Sequence, residues 1–138
     1  VSERTTWVLD VGNCDPDHAM IRRLLLDHFD VAIDRVMFVD DALKKMRERR
    51  YALVMFNRLV FDDGSEGMSL LRQAKADAAT ATVPVIMISN FDEAQAASIA
   101  AGGEPGFGKS AIGSPATIEL LAKHLPRKTA GAVVSRPG

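Results

Sequence analysis

Short apolar runs alternate with amphipathic stretches along almost the whole chain, and this alternation limits the possible folds more than any other feature. Runs such as Leu53-Val-Met-Phe56 are apolar at every position, which is typical of strands covered by helices on both faces. The predicted strands are Thr6 to Val11, Val31 to Met37, Ala52 to Phe56, Val83 to Ile88 and a short fifth, Gly106 to Lys109. Alternating strands and helices predict an α/β fold, a single parallel sheet with helices on both faces and right-handed crossovers.

Helical periodicity fills the gaps between these runs, because apolar residues recur there at helical spacing. The predicted helices are Pro16 to His28, Asp40 to Arg49, Glu66 to Ala76, Asp92 to Ala101 and Pro115 to about Leu125. Ser114 precedes the last one as its expected N-cap, with Pro115 in the first helical position.

Length and composition indicate one domain. The chain has 138 residues, of which 47% are hydrophobic, enough for one core and short for two domains. We expect the domain over residues 1–125 and a flexible tail or trimmed linker over residues 126–138. The formal net charge is −1, which gives no overall attraction to nucleic acid or to an anionic membrane. A lone Cys14 excludes an internal disulfide, and without a signal segment or a long apolar span we expect a cytoplasmic protein.

Residues Gly103 to Ser110 match the phosphate-binding pattern G-x-x-x-x-G-K-[ST] literally. Such a loop needs a buried strand before it and a helix that begins at its Lys-Ser end. Here a predicted helix precedes the motif, and Gly113 separates it from the next helix. A nucleotide-binding protein is therefore only the third functional hypothesis.

Ligands of open parallel sheets bind beyond the carboxyl ends of the strands, so residues that follow the apolar runs are the candidate site. They are Gly12-Asn13, Asn57, Ser89-Asn90 and Lys109.

The residues around these strand ends resemble a two-component receiver domain over about Thr6 to Leu125. The similar segments are Tyr51 to Asn57, Asp63-Gly64, Leu70-Leu71, Pro84 to Ser89, Ala101-Gly102 and Lys109. The resemblance implies a flavodoxin-like, five-stranded parallel sheet of order 2-1-3-4-5. It also implies that Lys109 is the lysine at the end of the fifth strand.

Receivers carry an acceptor Asp after the third strand, an acidic pair after the first strand that helps to bind Mg²⁺, a Ser or Thr, and a Lys. This sequence retains Ser89 and Lys109, but Asn57 stands at the acceptor position. The acidic pair falls on Gly12-Asn13, or on Asn13-Cys14 if the gap is one residue later. Gly106 stands where the family has its switch aromatic. The pattern predicts a degenerate receiver, or pseudo-receiver.

The amide of Asn57 at the acceptor position changes what the site can do chemically. An acyl phosphate needs a carboxylate nucleophile, and the neutral amide of Asn57 is too weak. Magnesium prefers carboxylate anchors, which the expected positions lack. We therefore expect no metal, no cofactor and no enzymatic activity, but a phosphorylation-independent signalling module, locked in one state, that acts through protein–protein interaction.

The alternative function is a true phosphoaccepting receiver that uses an unconventional acid near Lys109. Asp10, Asp15, Asp62 and Asp63 are the candidates. Asp10 is also open to a structural role, as a solvent-reaching or Arg-paired carboxylate in its strand. The dispersed histidines and Cys14 have no partner at catalytic or metal-ligand spacing.

The partners implied by the resemblance are proteins of a signalling pathway, such as a histidine kinase or an output domain. Receivers commonly form dimers through the face of the fourth helix, fifth strand and fifth helix. The Ala-rich helix Asp92 to Ala101 and the last helix are therefore the expected homodimer surface. No nucleic-acid or membrane partner is expected.

Overall fold

The computed structural model describes residues 5–128; the remaining residues, including 129–138 of the predicted tail, lie outside the described residues. The strands are β1 Trp7–Val11, β2 Ala32–Val36, β3 Leu53–Asn57, β4 Val85–Ile88 and β5 Glu104–Phe107. The helices are α1 Asp15–His28, α2 Val39–Glu48, α3 Met68–Ala76, α4 Asp92–Ala100 and α5 Pro115–Ala122.

The five strands form one parallel sheet of order β2-β1-β3-β4-β5, which confirms the predicted fold class and strand order. Each central strand buries both of its faces. Leu9, Val54 and Phe56 belong to one core cluster with residues of α2 and α3. Val8 and Met55 belong to a second cluster with residues of α1 and α5. Two helical layers therefore cover the sheet, which explains the uninterrupted apolar runs.

The fifth strand begins and ends two residues earlier than predicted. β5 spans Glu104–Phe107, and Lys109 lies beyond it as the first residue of a 3₁₀ turn, Lys109–Ala111. The polar start of the strand hid it from the apolar pattern. Pro105 is tolerated there because β5 is an edge strand, where a missing N–H costs no ladder hydrogen bond.

The segment Gly103 to Ser110 therefore contains the whole of β5 and the start of the 3₁₀ turn, and is not a phosphate-binding loop. Its glycines serve close packing: a Cβ on Gly106 would overlap the Met87 carbonyl, and one on Gly108 would overlap Asn90. The long helix that a nucleotide loop needs does not begin at Lys109, since α5 begins at Pro115. Ser114 caps α5 as predicted, and its hydroxyl accepts a hydrogen bond of 3.2 Å from the Thr117 N–H.

The side chain of Gln95 joins α4 to the irregular pairing between β4 and β5. Its amide nitrogen donates to the carbonyls of Met87 at 2.9 Å and Ser89 at 3.1 Å. Its amide oxygen accepts from the Gly106 N–H at 3.2 Å. The strand register shifts between Ile86 and Ile88, so Gln95 satisfies backbone groups that the shifted ladder leaves open.

The first residues of the predicted tail pair with the end of α1 and with the residue pair that follows it. The Asp30 N–H donates to the Pro126 carbonyl at 2.9 Å, and the Lys128 N–H donates to the His28 carbonyl at 3.1 Å. None of the helices in residues 5–128 has the length and apolar character needed to cross a membrane.

Replacing Gln95 by leucine keeps the side-chain size but removes the bonds to the β4–β5 pairing. We expect the free energy of unfolding to fall by about 1–3 kcal/mol, the cost of leaving buried polar groups unpaired. Hydrogen exchange at the Gly106 amide should accelerate.

Gln73→Leu is the matched control, because the Gln73 side chain is exposed and donates to the Ser69 hydroxyl, at 2.9 Å, and not to the sheet. Its effect should stay within about 0.5 kcal/mol. Equal amide protection in Gln95→Leu and the unsubstituted protein, measured by hydrogen exchange, would contradict the role assigned to Gln95.

Candidate functional site

Three of the predicted site residues meet at the carboxyl ends of β3, β4 and β5. Asn57, Ser89 and Lys109 line one cavity of about 220 Å³, together with Arg58 and Phe91 among others. The sheet brings them together because parallel strands end at the same edge. This cavity is the candidate functional site.

Asn57 and Ser89 have local hydrogen-bond partners in this cavity. The Asn57 side-chain N–H donates to the Leu59 carbonyl at 2.5 Å. The buried Ser89 hydroxyl accepts from the Phe91 N–H at 3.1 Å, directly before α4 begins. Both side chains therefore also shape the loops that follow their strands.

Lys109 forms an ion pair with Asp17 of α1. The distance from Lys109 Nζ to Asp17 Oδ2 is 2.5 Å, and the two side chains are 33% and 23% exposed. The hydrogen bond from Lys109 lowers the pKa of Asp17 below its ordinary value, and one from Cys14 adds to this against the opposing effect of burial. The lysine of the site is thus paired with an ionised carboxylate of the same chain.

Asp10 is fully buried on β1 and bonds to two residues of the α1 region. Its Oδ2 lies 2.5 Å from Nδ1 of His18, and its Oδ1 accepts from the Asn13 side chain at 2.6 Å. A buried carboxylate is costly unless it is paired in this way. Within the described residues, the Asn13 side-chain oxygen has no hydrogen-bond partner.

The other candidate acids have partners or exposed positions outside the cavity. Asp15 pairs with Arg35 at 2.8 Å. Asp63 accepts from the Ser65 hydroxyl at 2.7 Å, in the exposed turn that also holds Asp62. Gly12 has a positive φ of 81° and carries no side chain toward the site, but its carbonyl accepts from the Phe61 N–H at 2.9 Å.

The donor set does not suit a magnesium ion. Magnesium binding relies on one or two available carboxylates in octahedral oxygen geometry. The carboxylates of Asp10, Asp15 and Asp17 each carry a cationic or amide partner instead. Residues 5–128 contain no group of three or more His, Cys, Asp or Glu side chains placed to hold a metal ion.

Two residues of the site, Asp17 and His18, were not assigned to it from the sequence, whereas Asn90 was a candidate. Asn90 accepts from both the N–H and the hydroxyl of Ser110 at 3.0 Å, which ties the loop after β4 to the turn at Lys109. The sequence feature that could have indicated a partner on α1 is Asp10, a polar residue in an apolar strand, since a buried carboxylate needs a partner on an adjacent element. Nothing in the apolar periodicity of α1 indicated which polar side chain would supply it.

No protein-family model matches the chain, and no curated protein matches it. Solved structures of similar shape do match. A candidate response regulator of Chloroflexus aurantiacus J-10-fl is 18% identical, with a TM-score of 0.74 over 96% of this chain and 100% of that chain.

Two further structures show the same arrangement. A response regulator receiver protein of Pseudomonas putida is 17% identical, with a TM-score of 0.68 over 89% of this chain and 99% of that chain. A sensor protein of Polaromonas sp. JS666 is 23% identical, with a TM-score of 0.70 over 86% of this chain and 94% of that chain. At such low identities a match in shape establishes the fold, and this chain has the fold of a response regulator receiver domain.

Proposed function

We propose that this chain is a pseudo-receiver, a signalling module that acts through protein–protein interaction without being phosphorylated. The ion pair between Lys109 and Asp17, at 2.5 Å, is the observation that carries the proposal. It places an internal anion on the lysine that would otherwise contact an incoming phosphoryl group. Asn57 in the same cavity supplies an amide where phosphoryl transfer needs a carboxylate.

The ion pair also favours a single state of the site. A phosphoryl oxygen would have to compete for the Lys109 ammonium with the Asp17 carboxylate, whose pKa is lowered mainly by the hydrogen bond from Lys109. Asp10 is held by His18 and Asn13 and offers no free oxygen as a substitute. The degenerate site thus comprises Gly12, Asn13, Asn57, Ser89 and Lys109, with neither metal nor cofactor.

The partners that we propose are a histidine kinase, an output domain or a second copy of the chain. A homodimer would use α4 and α5, and Ile99 on α4 is 48% exposed there. A protein contact suits a module without catalysis, because its output depends only on which surface it presents.

The competing function is phosphoacceptance by an unconventional acid. Asp17 is now the best candidate, since it is the carboxylate paired with Lys109. The Lys109 ammonium would then have to move from the Asp17 carboxylate to the phosphoryl oxygens. Incubation with a small phosphoryl donor separates the two functions.

Incubation with Mg²⁺ and acetyl phosphate should leave the intact mass of the protein unchanged, because Asp17, the carboxylate that contacts Lys109, is held in an ion pair. Mass spectrometry of the whole chain checks this, with a phosphorylatable receiver as the positive control. A phosphoryl adduct would overturn the proposal, and mapping it to Asp17 would establish the competing function.

Asn57→Asp alone should restore little phosphorylation, because the magnesium carboxylates would still be missing and Asp17 would still neutralise Lys109. Adding Asn13→Asp and Cys14→Asp supplies the full acidic pair if it falls on Asn13-Cys14, and one of its two acids if it falls on Gly12-Asn13, so the triple variant should be labelled more. Efficient labelling of the single variant in the same mass assay would contradict the proposed loss of the metal site.

Lys109→Ala should raise the pKa of Asp17 toward its ordinary value of 3.8, because the hydrogen bond from Lys109 is the main cause of its lowering. A folded-state pKa below the unfolded value stabilises the protein above that value, and this stability is lost as the pH falls through the lowered pKa. The variant should therefore cost up to about 1 kcal/mol at neutral pH and progressively less in acid.

Carboxyl-carbon NMR measures this pKa directly. Asp63 is the internal control, because the pKa of its carboxyl is lowered by Ser65 and should not change in Lys109→Ala. An Asp17 pKa unaltered by the substitution would show that the two side chains are not paired in solution.

A further inference from the structure

A second cavity lies between α3 and α4, on the far side of Arg58 and Leu59 from the candidate site. It has a volume of about 220 Å³, and both Ala94 and Ala97 of α4 line it. Their small side chains leave the gap between the helices open. Pockets for small-molecule ligands usually span about 300–1,000 Å³, so this one suits a single side chain better.

Apolar side chains are exposed at this cavity and at the candidate site beside it. Phe91 is 61% exposed and Leu59 is 37% exposed. Leu59 lines both cavities, while Phe91 lines the candidate site next to it. Single exposed apolar residues are ordinary, but a patch continuous with a cavity is typical of a docking surface. We call this surface the α3–α4 trough, defined by Arg58, Leu59, Arg72, Phe91, Ala94 and Ala97.

Two arginines, Arg58 and Arg72, and one acid, Glu66, line the cavity, so its lining carries a net positive charge. Among the described residues, Arg58 has no carboxylate within 4.0 Å, and its guanidinium lies 5.4 Å from the centre of the Phe91 ring. Arg72 reaches Glu66 only at 3.9 Å, and both side chains are more than half exposed. A guanidinium held on an aromatic ring remains free to bind a carboxylate with two parallel hydrogen bonds.

From these features we propose that the α3–α4 trough binds a partner-protein segment in which an apolar side chain is flanked by carboxylates. The apolar side chain enters the gap beside Ala94 and Ala97, and a carboxylate binds Arg58. Nucleic acid would also meet arginine and an aromatic ring, but it has no apolar side chain for the cavity, and the net charge of −1 disfavours it.

The trough is preformed because Gln95 fixes α4 on the sheet through its bonds to Met87, Ser89 and Gly106. A surface that is already in place spares a partner the cost of ordering it. The proposal deepens the proposed function and rests on it, since a module that acts by contact needs a docking surface. Its own test involves no phosphorylation, so the two can fail separately.

The test titrates the full chain with short peptides that carry Leu or Phe between glutamates, and follows amide NMR shifts. Matched peptides carry lysines in place of the glutamates, or serine in place of the apolar residue. We expect only the glutamate-flanked apolar peptides to bind, with shifts concentrated at Leu59, Phe91 and Ala97. Added salt should weaken the binding.

Two variants decide whether the trough is responsible. Arg58→Glu should weaken binding about tenfold or more, and Ala97→Leu, which fills the gap without adding charge, should do the same. Arg23→Glu on α1 and Ala116→Leu on α5 are the matched controls, because both residues are exposed on other helices. Both controls should bind like the unsubstituted chain.

The proposal is overturned if no glutamate-flanked peptide binds, or if the lysine-flanked peptides bind equally well. It is also overturned if binding survives both trough variants, or if a single-stranded oligonucleotide shifts the trough amides in place of the peptides.

Discussion

A carboxylate buried in the central part of the sheet, that of Asp10, is the constraint on which the site depends. It has no exposed surface, so its charge must be balanced by nearby groups, and His18 and Asn13 supply this balance from the start of α1. The contact with His18 joins α1 to β1. Asp17, the preceding residue on α1, pairs with Lys109 at 2.5 Å. The polar residue of β1 and the lysine at the edge of the sheet are thus both paired with neighbouring residues of α1.

The site retains the scaffold of a receiver while its charges are balanced internally. Asn57, Ser89 and Lys109 still meet in one cavity, but the anion on the lysine belongs to the chain itself. The edge of the sheet next to this cavity is held by Gln95, whose amide oxygen accepts a hydrogen bond from the Gly106 N–H. An internal anion and a fixed α4 both favour one conformation of the site.

The strand ends were predictable from the sequence because apolar runs show where strands stop, and parallel strands stop at one edge. This reasoning located Asn57 and Ser89 correctly at the ends of their strands. It failed for β5, whose polar start carries no apolar signal, so that Lys109 lies beyond the strand. It also missed Asp17, because periodicity shows which face of α1 is apolar but not which polar side chain reaches across to another loop.

The most direct test of the central claim is an amide NMR titration of the protein with Mg²⁺ and beryllium fluoride, which mimics a bound phosphoryl group. If Asp17 remains paired with Lys109 and Asn57 cannot act as an acceptor, the amide chemical shifts of Asn57, Ser89 and Lys109 should not change. Saturable shifts at these residues would show that the site accepts a phosphoryl group, and would contradict the account.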